Sequence, residues 1–177
     1  KKAGKIRAIG IVTHDVESMM KHLDNYGSVI DYVMVPVNFH HNNGYFADPK
    51  NYKENDYSGL IPRCESMGLG IAGIKPMGSD HMLPLARKNR MMKKNGLSLP
   101  KAMLRHVFSI PEIDVSMPSI NTMDELKEDL DAAYKPAVSD AERQLLAEMS
   151  TIAANTRGAY LPNHYKWLEN WATNRIV

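Results

Sequence analysis

Apolar positions along the chain follow two alternating periods. Lys5-Ile-Arg-Ala-Ile-Gly-Ile-Val12 is a strand-like run rich in β-branched residues. Val16, Met19, Met20 and Leu23 then fall on the i, i+3, i+4, i+7 spacing of an amphipathic helix, with Asp15 as its N-cap and Gly27 as its stop. A second apolar run, Val29 to Val37, predicts another strand. Leu60, Ile61, Cys64 and Met67 predict a helix ended at Gly68, and Leu69-Gly-Ile-Ala-Gly-Ile74 predicts a third strand. Between the second strand and second helix, Asn38 to Tyr57 is polar and aromatic. It is longer than an ordinary connection, which makes it a candidate functional loop.

The alternation continues into the second half. Ser98 and Pro100 open a helix through Ala102, Met103, Val107 and Phe108, with Pro111 beyond its end. Ile113 to Met117 predicts a fourth strand. Thr122-Met-Asp-Glu125 is a capping box ahead of Leu126, Leu130 and Ala133, and Ser139-Asp-Ala-Glu142 is another ahead of Leu145, Leu146, Met149 and Ile152. Four strand–helix units, an extra helix and a tail predict a parallel sheet with right-handed crossovers. The pattern alone leaves a flavodoxin-like layer open, although the chain has no GxGxxG and no GxxxxGK[ST] phosphate loop. A (β/α)8 barrel takes eight strands and about 250 residues. Four units are half of one.

Composition narrows the function classes. With 177 residues, 44% hydrophobic and 24% charged, the chain is a globular domain and not a disordered or collagen-like one. A net charge of +2 offers no electrostatic footprint for nucleic acid. The apolar runs are too short to span a bilayer. Cys64 is the only cysteine, which excludes an intrachain disulfide framework, a thiolate-rich zinc site and an iron–sulfur cluster held by this chain. The sequence starts at Lys1 with no apolar signal region after it, so a processed product or a piece of a longer chain is expected. Cytoplasm is the default compartment, with export left open.

Four blocks resemble the aldo/keto reductase family. Gly4-Lys-Ile-Arg-Ala-Ile-Gly-Ile-Val-Thr-His14 is similar to the fifth strand of that family, and Asp31-Tyr-Val-Met-Val-Pro-Val-Asn38 to the sixth. Gly70-Ile-Ala-Gly-Ile-Lys-Pro-Met-Gly78 resembles the seventh strand and its cofactor loop, and Asp114 to Asp129 resembles the eighth strand and the helix after it. The Lys75-Pro76 variant and the long tail are similar to a bacterial branch that often carries a ferredoxin-like C-terminal segment, whose cysteines this chain lacks. The resemblance implies an α/β fold, the C-terminal half of a (β/α)8 barrel (strands 5–8 with their helices) plus a C-terminal helical extension. Residues 1–136 would form the half-barrel, and residues 137–177 a helix and tail packed on it. It also implies NAD(P)H-dependent reduction of a small carbonyl substrate. The family's catalytic tetrad of Asp, Tyr, Lys and His lies on the first four strands, so no catalytic residue is assigned here, and the chain alone is expected to be inactive.

Barrel active sites sit at the C-terminal ends of the strands. That rule selects Thr13 and His14, Asn38 with His40 and His41, Lys75 to Asp80, and Ser119 to Asn121. The resemblance implies that Thr13, His14 and Met34 lie where the nicotinamide carboxamide is held, with Met34 replacing a frequent glutamine; His14 otherwise caps the next helix or meets solvent. Met77-Gly78-Ser79 would lay backbone amides against the pyrophosphate. The adenosine 2′-phosphate site would fall at Ser119, Glu125 and Asp129, where two carboxylates replace the usual basic side chains. This favours NADH over NADPH, a different ligand, or no ligand, unless the acids serve only the helix dipole. The cofactor-binding set is therefore Thr13, His14, Asn38, Lys75, Met77, Gly78, Ser79, Ser119 and Asn121, for NADP or NAD.

Other features have plainer readings. His40, His41, Asp80 and His81 offer nitrogen and oxygen donors without a tight ligand motif, and no metal site is assigned. Arg87, Lys88, Arg90, Lys93 and Lys94 read as a solvated face, with a lid over the cofactor phosphates as the functional alternative. The 12 methionines sit mostly at core spacing. Trp167 and Trp171, one helical turn apart, would dock the tail, and Cys64 lies on an apolar stripe as a core thiol. A half-barrel has open edges at its first and last strands, which call for a partner. That partner is the missing N-terminal half or, in an alternative non-catalytic scaffold, a second copy; neither nucleic acid nor membrane is expected.

Overall fold

In a computed structural model of the chain, the structure describes residues 1–13, 16–39, 59–77, 92 and 95–155. Four strands, β1 (Gly10–Val12), β2 (Tyr32–Pro36), β3 (Gly70–Ile74) and β4 (Val115–Met117), form one parallel sheet in chain order. Helices α1 (Val16–Tyr26), α2 (Leu60–Ser66), α3 (Leu99–Phe108) and α4 (Met123–Tyr134) alternate with the strands, and α5 (Asp140–Asn155) follows. The register runs Gly10↔Tyr32, Val33↔Ile71 and Ala72↔Val115, so residues in one row across the sheet share a face.

One face is covered. Val33, Val35 and Ile71 pack against Met19 and Leu23 of α1, Leu60 and Cys64 of α2, and Val107 of α3. Cys64 is fully buried, and this burial pushes its thiol pKa up, as befits a packing residue. The opposite face is exposed mainly at its margins, since Pro36 and Ala72 at its centre are buried. Along it Val12 is 55%, Tyr32 38%, Val115 50% and Met117 49% exposed. Exposed apolar side chains at the margins of a parallel sheet are unusual, because such sheets are ordinarily covered on both faces.

A second core lies outside the sheet. Phe39 meets Leu99, Ala102 and Met103 of α3 and Leu145, Leu146 and Met149 of α5. The caps form as the residues dictate. Ser98 accepts from the Lys101 amide, and both Thr122–Glu125 and Ser139–Glu142 close as capping boxes. No helix among the described residues is long and apolar enough to cross a membrane.

Three expectations need correction. The first strand begins at Gly10, not Lys5, because its ladder to β2 starts at the Gly10↔Tyr32 pair. Ile6, ahead of that pair, is 50% exposed. The fourth strand likewise shrinks to Val115–Met117, paired on one side only. Helix α4 buries Ala132 instead of Ala133 and leaves Leu130 exposed. Its inward face is set by charge: Glu128 accepts from the Ser98 hydroxyl, and Asp131 pairs with Lys101 at 2.8 Å and Arg105 at 3.6 Å.

The stop after α1 is tight. The Gly27 amide donates to the Leu23 carbonyl at 2.9 Å, and a Cβ on Gly27 would stand 2.5 Å from that same oxygen. Backbone has little freedom to yield. Gly27→Ala is expected to cost about 1–3 kcal/mol, the range for overpacking, read as a lower urea midpoint with an unchanged m-value.

Candidate functional site

Because the strands are parallel and in register, the residues that follow them line one edge of the sheet. Thr13 follows β1 directly, Asn38 follows β2 after one residue, Lys75 follows β3 directly, and Ser119 follows β4 after one residue. The Val37 amide donates to the Ile74 carbonyl at 2.9 Å, extending the β2–β3 ladder by one step. That bond sets Asn38 and Lys75 on adjacent strand ends at the centre of the sheet.

Both are unusual for their residue type. Asn38 is only 6% exposed, and a buried amide is kept for its hydrogen bonds. Lys75 is half-buried and holds a left-handed backbone, φ +56°, the only non-glycine residue among those described to do so. It also precedes Pro76, which itself restricts the residue before it. Burial lowers the Lys75 amine to about 8 from its ordinary 10.5. Met77, just beyond, packs against the second core.

The loop after β4 is arranged differently. Ser119 and Asn121 are exposed. The Glu125 carboxylate turns back on the start of its own helix, where it accepts from the Asn121 amide at 2.6 Å and the Thr122 amide at 3.2 Å. It therefore serves as a helix cap while leaving its charge at this loop. Asp129 is half-buried, and its pKa is raised by that burial and by Glu128 and Glu125. Both carboxylates lie on the helix that follows β4.

Of the nine cofactor-binding residues selected from sequence, Thr13, Asn38, Lys75, Met77, Ser119 and Asn121 lie along this edge. His14, Gly78 and Ser79 lie outside the described residues, as do His40, His41, Asp80, His81, the basic run from Arg87 to Lys94, and both tryptophans. Among the described residues no group of three His, Cys, Asp or Glu side chains could hold a metal ion. Sequence reasoning missed a cleft of about 630 Å³ between α3 and α5, lined by Phe39, Phe108, Val138, Arg143 and Leu146 among others. Nothing in the local pattern signals it, since its walls come from three separate segments.

Comparison with known proteins follows the same lines. The sequence profile described as the aldo/keto reductase family matches residues 1–150. No individually curated protein matches the chain. Among solved structures, a thermostable aldo-keto reductase, Tm1743, in complex with the inhibitor epalrestat superposes with a TM-score of 0.55 at 19% identity, over 84% of this chain and 50% of that one. The aldo-keto reductase AKR11C1 from Bacillus halodurans, in its holo form, superposes with a TM-score of 0.57 at 13% identity, over 94% of this chain and 55% of that one. This chain thus spans about half the length of the structures it matches, and its four strands correspond to part of a TIM barrel.

Proposed function

The chain belongs to the aldo/keto reductase family, and on that premise we propose that it supplies the cofactor-binding half of an NAD(P)H-dependent carbonyl reductase. The observation that carries this reading is the set of exposed apolar side chains at the margins of one sheet face. Val12, Tyr32, Val115 and Met117 occupy the face a closed barrel would turn inward, and four further strands would cover them. The proton donor of the reaction would come from that other half. A small aldehyde or ketone is the substrate class the family implies.

The chain's own residues bind and orient. Thr13 and Asn38 stand at the ends of β1 and β2, where a hydroxyl and an amide can hold a carboxamide through matched donors and acceptors. Lys75 offers a cation at the end of β3 for a pyrophosphate, and a bound phosphate would draw its amine back toward full protonation. The chemistry a nicotinamide cofactor supplies when bound is a hydride to the carbonyl carbon. These residues fit its nicotinamide and pyrophosphate ends. The carboxylates of Glu125 and Asp129 on the helix after β4 do not fit a 2′-phosphate, so NADH is the better match.

Asp129→Lys tests that preference. Replacing a like charge with an opposite one beside a partly solvated phosphate is worth about 1 kcal/mol, or roughly fivefold in affinity. The ratio of NADPH to NADH affinity, measured by equilibrium dialysis on the chain joined to an N-terminal half, is expected to rise by about that factor. An unchanged ratio would remove Asp129 from the cofactor site.

A further inference from the structure

We propose that the chain on its own pairs with a second copy of itself, β4 of each copy lying against β1 of the other. This rests on the half-barrel reading and adds what the uncovered surfaces can take. Helices α1, α2 and α3 each send side chains into the core on one sheet face: Met19 and Leu23, Leu60 and Cys64, and Val107. Helix α4 sends none to either core among the described residues. What holds it to α3 is polar: the Lys101–Asp131 and Arg105–Asp131 pairs and the Ser98–Glu128 hydrogen bond. Its apolar side is bare. Met123, Leu130 and Tyr134 are all exposed, and their i, i+7, i+11 spacing puts them on one stripe.

A strand that this chain does not supply accounts for that stripe. In a parallel α/β sheet a right-handed crossover lays each helix over the groove between its own strand and the next. Helix α4 follows the last strand, so the groove it would cover lacks a second wall. Exposed Val115, Met117 and Ile120 continue the apolar surface onto the free edge of β4. The occupant must therefore bring a parallel strand with an unpaired edge. The chain itself presents one. β1 pairs only with β2, and its exposed Val12 lies in one row with Met34, Ala72 and Val115, so both margins show the same sheet face. A two-fold axis along the strands makes both joins at once. Four strands from each copy give eight, the number at which a parallel barrel of this kind closes. A single join would leave a free edge at each end and recruit further copies, so closure sets the number at two.

The test is the mass of the chain in solution, by light scattering after size exclusion, across the micromolar range. Twice the mass of one chain is expected, with no larger species as concentration rises. Leu130→Asp with Tyr134→Lys, both at exposed positions, should weaken association about tenfold or more and leave the circular dichroism spectrum unchanged. Glu148→Lys, exposed on α5, should leave the dimer intact. A single-chain mass throughout, growth beyond two copies, or a dimer indifferent to the α4 variant would overturn the proposal. Joining an N-terminal half to the chain separates this from the reading beneath it. The joined protein should be monomeric, since its own strands fill both edges. If joined protein and lone chain are both monomeric, only the second copy is overturned. A joined protein that still pairs through Leu130 and Tyr134 overturns the half-barrel reading as well.

Discussion

Carbonyl reduction by this chain alone is expected to fall below detection, and to appear when an N-terminal half-barrel bearing the family's Asp, Tyr, Lys and His is folded with it. The reason is the division of labour proposed above between the halves. The described strand ends offer Thr13, Asn38, Lys75 and Ser119, which we propose hold a cofactor. The tetrad implied by the family resemblance belongs to strands that precede these. General acid catalysis alone contributes about two to four orders of magnitude, and a barrel open on one face also leaves the reacting carbonyl in water. The measurement is loss of NADH absorbance with propanal, for the chain alone and for the refolded pair. Turnover by the chain alone would mean that a proton donor lies within it.

Glu142→Ala is expected to cost about 3–5 kcal/mol of stability, the range for stranding one member of a buried ion pair. The Glu142 side chain is 5% exposed and that of Arg105 15%, and the two are joined by a hydrogen-bonded salt bridge between α5 and α3. The same carboxylate accepts from the Ser139 amide at 2.8 Å and the Ser139 hydroxyl at 2.9 Å, closing the cap of α5. One substitution thus removes a cap and leaves a guanidinium buried with only Asp131, 3.6 Å away. Replacing both partners by apolar residues, Arg105→Met with Glu142→Leu, should recover most of the loss. Chemical denaturation of the two variants separates the outcomes.

The acid response follows from the same network. Burial raises the Glu142 pKa, but the Ser139 amide and hydroxyl and Arg105 outweigh it and hold the carboxyl below its ordinary 4.5. Hydrogen bonds from Lys101 and Lys135 hold Asp131 at about 2, against an ordinary 3.8. Both folded values are depressed, so their contribution is complete above about 4.5 and is lost as pH falls toward about 2.

The middle of the fold was legible because its pattern and its packing agree. β2 and β3 have neighbours on both sides, and their buried Val33, Val35 and Ile71 are the residues an apolar run announces. The outer strands were overextended because an edge strand's length depends on its partner, which no local run encodes. Helix α4 was misphased by one residue because Asp131 and Glu128, read as polar and outward, are the groups that bind it to α3. Asp31 and Asp114 gave no signal either. Asp31 accepts from the amide of Ile9, just ahead of β1, and Asp114 from that of Ile71 in β3, each at 2.7 Å, a role visible only once strands are aligned. At the site, the strand-end rule found Asn38 and Lys75, but nothing in the letters announces a left-handed lysine ahead of proline.

The most direct test of the half-barrel reading is the intact mass of the native gene product together with the sequence preceding Lys1. The account predicts a chain about twice as long, near the size of a full barrel, whose upstream part holds four more strand–helix units and places Asp, Tyr, Lys and His at their ends. A native product beginning near Lys1 would contradict it. The exposed margins at Val12, Tyr32, Val115 and Met117 would then belong to a second copy or another protein, and the kinship with reductases would be one of fold.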